Sequence, residues 1–218
     1  MRLPRPSRTV PRVAWAASSQ WRAAPSTLAV LLAGLTCFGI GEGLLVQSRL
    51  GATPWTVLAQ GCSLVTGLSI GTVTALLSSL VLCCWWPLHL RPGFGTLANL
   101  VVIALALQAT VWLVAPLQNP AVQVVAMVGG LLAIGFGGAL YLSCALGPGP
   151  RDGLMVGLQQ RLGTTIARVR FGIEITVLTL GWLLGGTVGI GTALFAFGIG
   201  YVLAMFLSLL RHLAPQMG

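Results

Sequence analysis

The chain has 218 residues, of which 56% are hydrophobic and only 7% are charged. A soluble domain carries about 25% charged residues, so this composition excludes one and indicates an integral membrane protein. The formal charge of +9 comes from arginines spread over the ends of apolar segments. It does not form one basic patch with aromatic partners, which argues against a nucleic-acid-binding protein.

Residues 1–25 contain five arginines, several prolines and no acidic residue. A cleaved signal peptide has a short basic region, a short apolar core and a small-residue cleavage site. Here the basic region is long, and the apolar segment that follows continues to Val46. The sequence therefore predicts a disordered, basic cytoplasmic tail followed by a retained membrane helix.

Six apolar segments, each near 20 residues long, predict six transmembrane helices. Two further segments, 54–66 and 150–162, are too short to cross a bilayer, and they are predicted to form short helices after the first and fourth spans. The second of these has its leucines on one face, which favours a helix lying in the membrane interface. A re-entrant position stays open for both. The six spans cover about 26–47, 68–88, 95–115, 122–145, 166–184 and 192–210.

The chain matches itself at an offset of 96 residues. About 20 of about 70 aligned positions are identical, where chance would give roughly 6. The match includes two helix-break motifs, Gly51 to Pro54 and Gly147 to Pro150, in which a proline suits the first turn of the next helix. Residues 26–120 and 121–213 are therefore predicted to be two membrane repeats.

Each repeat has three spans, an odd number, so the second repeat must enter the membrane from the opposite side. The predicted fold is an all-α membrane protein of two inverted-topology three-helix repeats, each with an extra short helix after its first span. Many secondary transporters are built this way, with their site between the repeats near the midplane.

The positive-inside rule fixes the expected orientation. With both termini in the cytoplasm, eleven of the twelve arginines lie on the inner side and only Arg49 lies outside. Five tryptophans then fall near span ends, as an aromatic belt requires. They are Trp55, Trp85, Trp86, Trp112 and Trp182.

Two acidic residues, Glu42 and Glu174, fall inside predicted spans. An intramembrane carboxylate is costly and indicates a functional position, so both are predicted to bind substrate or a proton. The structural alternative for Glu42 is a hydrogen bond within the bundle or an outward contact with Arg49. Arg170 lies one helical turn before Glu174 and can pair with it, so the structural alternative for Glu174 is an ion pair near the inner interface. The two glutamates are expected at depths about 6–15 Å apart, and therefore not in contact.

The third acid, Asp152, lies in the first turn of the second short helix, where a negative charge interacts favourably with the helix dipole. The functional alternative is a gate formed with Arg151, Arg168 or Arg170. The helix N-termini after the two breaks can also bind anions. The sequence contains no nucleophile–base arrangement, phosphate loop or metal-ligand spacing, so no enzymatic activity, metal or cofactor is predicted.

The second repeat contains four motifs, Gly147-Pro-Gly-Pro-Arg-Asp-Gly-Leu154, Val169-Arg170 with Glu174, Gly181-Trp-Leu-Leu-Gly-Gly186 and Gly189-Ile-Gly-Thr192. These motifs resemble the YczE/YitT-like family of bacterial integral membrane proteins. The charged dipeptide at 151–152 occurs once, because the first repeat has Trp55 and Thr56 at the matching positions. The resemblance implies a multi-pass protein of the bacterial cytoplasmic membrane without a settled substrate.

These features favour a small secondary transporter or permease for a small polar or anionic solute, in which Glu42 or Glu174 takes up a proton. A passive channel and a non-transporting membrane partner stay open as alternatives. The latter would recruit another protein or anionic lipid through its cytoplasmic arginines. The expected partners are the lipid bilayer and a small solute, and a homo-oligomer stays open.

Overall fold

The computed structural model describes residues 10–11 and 13–213, with residue 213 described in its backbone only. Over this part of the chain the regular structure is helical apart from isolated β-bridge residues before the first helix, which confirms the predicted fold class at the level of secondary structure. Its eight helices are α1 (Pro25–Ser48), α2 (Pro54–Thr66), α3 (Ile70–Cys83), α4 (Phe94–Leu113), α5 (Pro120–Ser143), α6 (Pro150–Leu162), α7 (Ile166–Leu183) and α8 (Ile190–Leu213).

Four of the helices, α1, α4, α5 and α8, are long and apolar enough to cross a membrane. A fifth span exists if α2 and α3, which meet at a bend of 115°, are counted as one. The helix α7 has 18 residues but carries three charged side chains within them. The protein is thus a multi-pass α-helical membrane protein, and the arrangement with six spans stays a prediction.

The helix predicted over 68–88 is shorter in the structure. Its 14 residues, Ile70–Cys83, extend about 21 Å, less than the hydrocarbon core of about 30 Å. Gly67 ends α2 in the left-handed conformation, and the Ser69 side chain caps α3. At the other end the backbone amides of Trp85 and Trp86 donate to the carbonyls of Leu82 and Cys83, three residues back, so the chain turns after Cys83.

The helix boundaries follow the 96-residue repeat. The helices α2, α3 and α4 begin at residues 54, 70 and 94, and α6, α7 and α8 begin at 150, 166 and 190. The two short helices have the predicted bounds. In the break motifs Gly51 and Gly147 have φ of 110° and 105°, a backbone conformation that favours glycine, and Pro54 and Pro150 begin the next helices.

The core of the bundle is the contact between α1 and α5. A Cβ atom on Gly34 would lie 2.9 Å from the carbonyl oxygen of Gly137, and one on Gly41 would lie 2.6 Å from that of Gly130. The later residue of α1 therefore meets the earlier residue of α5, so the two helices are antiparallel. Glycines at the crossing let the backbones approach closely.

The other helices pack around this pair in matching contacts. The helix α4 packs on α1 and α8 packs on α5, while α2 packs on α7 and α6 packs on α3. The face of α6 that contacts the bundle carries Gly153 and Gly157, which lie against the residues that follow α3. There the Trp85 indole donates a hydrogen bond to the Pro150 carbonyl (2.9 Å), and Leu162 is left exposed.

The residues before α1 also contact the bundle. Val13 is fully buried, the Trp15 indole donates to the Ser143 hydroxyl (2.9 Å), and the Phe94 amide donates to the Gln20 carbonyl (3.0 Å). From Val13 onward the chain is therefore packed against the protein, where the sequence predicts a disordered tail. The earlier part of that tail, residues 1–9 and 12, lies outside the described residues.

Candidate functional site

A cavity of about 180 Å³ lies inside the bundle, and each of the eight helices contributes to its wall. This volume corresponds to about six water molecules at liquid density. Five of the six charged residues predicted to be functional line it, and the sixth, Arg168, is exposed outside it. The five are Glu42, Arg151, Asp152, Arg170 and Glu174.

A buried ion pair joins the two repeats at this cavity. Arg151 Nη1 lies 3.2 Å from Glu42 Oε1, and the Glu42 side chain is only 1% exposed. The Thr53 hydroxyl donates to the same carboxylate oxygen (3.4 Å), and the guanidinium carbon of Arg151 lies 5.2 Å from the centre of the Trp55 ring. Glu42 therefore has a partner other than Arg49, which is the exposed residue that ends α1.

The local sequence explains why these groups meet. The break at Gly147 to Pro150 starts α6 beside the wall of the cavity, and Arg151 is its second residue. The matching break in the first repeat places Trp55 as the second residue of α2. Trp55 is 8% exposed and lines the cavity, so the predicted membrane-belt position is wrong for this tryptophan. Trp85 is also buried, whereas Trp86, Trp112 and Trp182 are exposed.

Asp152 receives a hydrogen bond that the sequence analysis missed. The hydroxyl of Tyr141, a buried residue of α5, donates to Asp152 Oδ2 (2.5 Å). Asp152 lies in the first turn of α6, as predicted, and Gly149 occupies the capping position. The contact ties the C-terminal part of α5 to the start of the next helix across the break motif.

Arg170 and Glu174 form the ion pair that their spacing predicts, with Nε 2.8 Å from Oε1. Their side chains are 43% and 18% exposed, so this pair is more open to its surroundings than the pair at Glu42. The sequence predicts that Glu42 and Glu174 lie at different depths and do not touch. In the structure both line one cavity, and each forms an ion pair with a different arginine.

The wall of the cavity follows the internal repeat. Seven pairs of lining residues are 96 positions apart, so both repeats supply matching surfaces. The chemistry of the matching positions differs, because four of the five charged groups belong to the second repeat. The pairs are Phe38 and Ile134, Glu42 and Gly138, Trp55 and Arg151, Thr74 and Arg170, Ser78 and Glu174, Asn99 and Phe195, and Ile103 and Ile199.

Two buried polar atoms at the cavity have no hydrogen-bond partner among the described residues, namely Glu42 Oε2 and Trp55 Nε1. Leaving a buried donor or acceptor unpaired costs about 1–3 kcal/mol, so both atoms favour a polar ligand that bonds to them. Residues 13–213 contain no group of three or more histidine, cysteine or acidic side chains placed to hold a metal ion. This arrangement can bind a small polar molecule and can hold a proton on a carboxylate.

Apolar helices of membrane-spanning length around a charged internal cavity define a multi-pass membrane protein. The chain belongs to DUF6198, a family of unknown function, whose family model matches residues 26–208.

Three similar proteins come from two bacteria. An "Uncharacterized protein" of Haemophilus influenzae is 50% identical over 206 residues, which cover 94% of each chain. The "Uncharacterized membrane protein YczE" of Bacillus subtilis is 30% identical over 78% of this chain and 80% of its own length. The "Uncharacterized protein YyaS" of the same organism is 27% identical over 82% of this chain and 92% of its own. No solved structure gives a significant match.

Proposed function

We propose that this protein is a small secondary transporter of the bacterial cytoplasmic membrane, and that it binds a small polar solute in the central cavity between two inverted repeats. The observation that carries the proposal is the buried Glu42–Arg151 ion pair in a cavity lined by matching residues of both repeats. Inverted-repeat transporters place their sites at such an interface. The antiparallel contact of α1 with α5 agrees with the opposite orientations that this architecture requires.

The charges of the cavity narrow the class of solute. With every group ionised, two arginines and three acidic side chains line it, which gives a formal charge of −1. Both arginines are already paired with carboxylates. The cavity therefore favours an uncharged polar, zwitterionic or cationic solute over the anionic solute that the sequence left open.

The carboxylate of Glu42 is the group we propose for proton coupling. Arg151 and Thr53 both contact Oε1, whereas Oε2 is buried without a partner and would be stabilised by a proton or by a donor on the solute. A proton on Glu42 removes its charge and so weakens its attraction to Arg151. Arg151 would then be free to move with the arrival or departure of the solute.

The test is transport by purified protein in proteoliposomes. Uncharged, zwitterionic and cationic solutes are first screened by thermal shift, and each labelled hit is then measured for counterflow and for uptake driven by a pH gradient. We expect Glu42→Gln to keep counterflow and to lose the response to the gradient. Arg168→Gln, which changes an exposed charge outside the cavity, is the matched control.

Two results would contradict parts of this proposal. If Glu42→Gln and Glu174→Gln both respond to the gradient as the wild type does, neither carboxylate couples the proton. If flux rises without saturation and shows no counterflow, the protein is a passive channel instead.

A further inference from the structure

The two repeats differ in how their third and fourth helices pack. In the first repeat α3 lies directly against α4. The Gly71 amide donates a hydrogen bond to Gln108 Oε1 (2.7 Å), and a Cβ atom on Gly71 would lie 2.7 Å from the carbonyl oxygen of Ala104. Ala104 is only 4% exposed. Both helices supply lining residues of the cavity, so this contact joins two parts of its wall.

The matching contact is absent from the second repeat over the described residues. The positions that correspond to Gly71, Ala104 and Gln108 hold Ala167, Gly200 and Ala204. Ala204 has no side-chain acceptor, and Ala167 carries a methyl group where the close approach in the first repeat needs a glycine. Accordingly α7 packs on α2 and α6, whereas α8 packs on α5.

A gap into the cavity lies between these two helices. Gly200 lines the cavity and is exposed, and nothing lies within 4 Å of a Cβ atom built on it. One wall of the gap, on α7, carries Arg170 and Glu174. The other wall, on α8, is apolar and carries Ile199 and Leu203.

The surfaces on either side of the gap are apolar and exposed. Phe171 on α7 is 69% exposed, and Phe197 and Tyr201 on α8 are 81% and 77% exposed. In a membrane protein such surfaces face lipid, so a gap between them opens sideways into the bilayer. A molecule that passes through it meets charged groups on one wall and an apolar surface on the other.

We infer that the cavity is entered from the lipid bilayer between α7 and α8, and that its ligand is a single-chain amphiphile with a positively charged head. This inference rests on the proposed function, in which the cavity binds a solute. The formal charge of −1 attracts a cationic head, and about 180 Å³ accommodates a head of a few non-hydrogen atoms. The alkyl chain extends through the gap along Ile199 and Leu203.

Photocrosslinking in proteoliposomes tests this route. The probes are dodecyltrimethylammonium with a diazirine on its chain, dodecanoate with the same diazirine, and a water-soluble propyltrimethylammonium diazirine. Mass spectrometry locates the adducts. We expect the long cation to label Ile199 or Leu203, and Gly200→Trp to reduce that labelling by about tenfold or more by filling the gap. Gly172→Trp is the matched control, since that position is equally open but lies outside the cavity.

The outcomes separate this inference from the proposed function. If the short cation labels the cavity equally in the wild type and in Gly200→Trp, while the long cation does not label it, the cavity binds solute but the lateral route is wrong. Labelling by dodecanoate alone refutes the positively charged head. Adducts confined to Phe197 and Tyr201, unchanged by Gly200→Trp, identify surface lipid and refute the route. If no probe labels the cavity, the cationic amphiphile is refuted, whereas the proposed function is decided separately by the counterflow measurement. A monodisperse elution profile of Gly200→Trp establishes that the variant folds.

Discussion

Replacing Arg151 by methionine is expected to destabilise the folded protein by about 3–5 kcal/mol, because it leaves a buried carboxylate without a cation. Glu42 is 1% exposed, so its carboxylate is largely removed from bulk solvent and loses its charged partner. The reverse change, Glu42→Gln, is expected to cost less, about 1–2 kcal/mol. Arg151 is 20% exposed and keeps its contact with the Trp55 ring, and glutamine still offers an acceptor to Arg151 and Thr53.

The double variant measures the pair itself. At a separation of 3.2 Å the Coulomb attraction is about 5 kcal/mol for an effective dielectric constant of about 20, which is an upper bound on the coupling. Contacting residues usually give interaction energies of about 0.5–3 kcal/mol, so we expect the double variant to cost less than the sum of the two single changes by an amount in that range.

Unfolding of the purified protein in mixed micelles with increasing sodium dodecyl sulfate, followed by tryptophan fluorescence, gives the four free energies. Arg168→Met is the control, because that arginine is exposed and does not line the cavity. The reasoning is refuted if Arg151→Met costs no more than Glu42→Gln, or if the two single changes add up to the double variant.

Three further predictions concern the scaffold and its orientation. Gly41→Ala should destabilise the protein by about 1–3 kcal/mol, since the new methyl group would lie 2.6 Å from a backbone oxygen of α5. Gly129→Ala is the control: nothing lies within 4 Å of a Cβ atom there, so this change should be neutral or stabilising in the same unfolding assay. Gln108→Ala should cost about 1–3 kcal/mol and speed hydrogen exchange of the Gly71 amide, which donates a hydrogen bond to the Gln108 side chain. Unchanged protection of that amide would mean that the bond does not form. If the termini are cytoplasmic, a membrane-impermeant maleimide should label the exposed Cys83 and Cys84 in inverted vesicles only, and labelling in intact cells would reverse the orientation.

The parts of the fold that depend on local chemistry could be predicted from the sequence. The break motifs predict both short helices, 54–66 and 150–162, because glycine and proline act on the backbone within a few residues. The Arg170–Glu174 pair follows from a spacing of four on one helix. The helix predicted over 68–88 extends past the observed end of α3 at Cys83, because the apolar run continues beyond that residue. Hydropathy alone does not detect the turn that precedes Pro87.

The contacts that build the site could not be predicted in the same way. Glu42 and Arg151 are 109 residues apart, and so no spacing rule connects them. The bond from Tyr141 to Asp152 depends on how the chain reverses through the break between α5 and α6. One available signal was the repeat itself, since Trp55 and Arg151 occupy matching positions and both reach the cavity.

The crossing of α1 and α5 is repeated between the two halves of the chain, but the charges of the cavity are not. The glycine contact of Gly34 with Gly137 has its counterpart in that of Gly41 with Gly130, so the crossing of α1 and α5 is the same when the repeats are exchanged. The charged positions do not exchange in this way. Glu42 is the one acidic residue of the first repeat, and its counterpart in the second repeat is Gly138. Because glycine has no side chain, the Glu42–Arg151 ion pair has no equivalent at the exchanged positions. A symmetric helix crossing thus lies beside an asymmetric set of charges, and we expect a ligand of the proposed site to bind in one orientation, with its polar end toward the charges of α6 and α7.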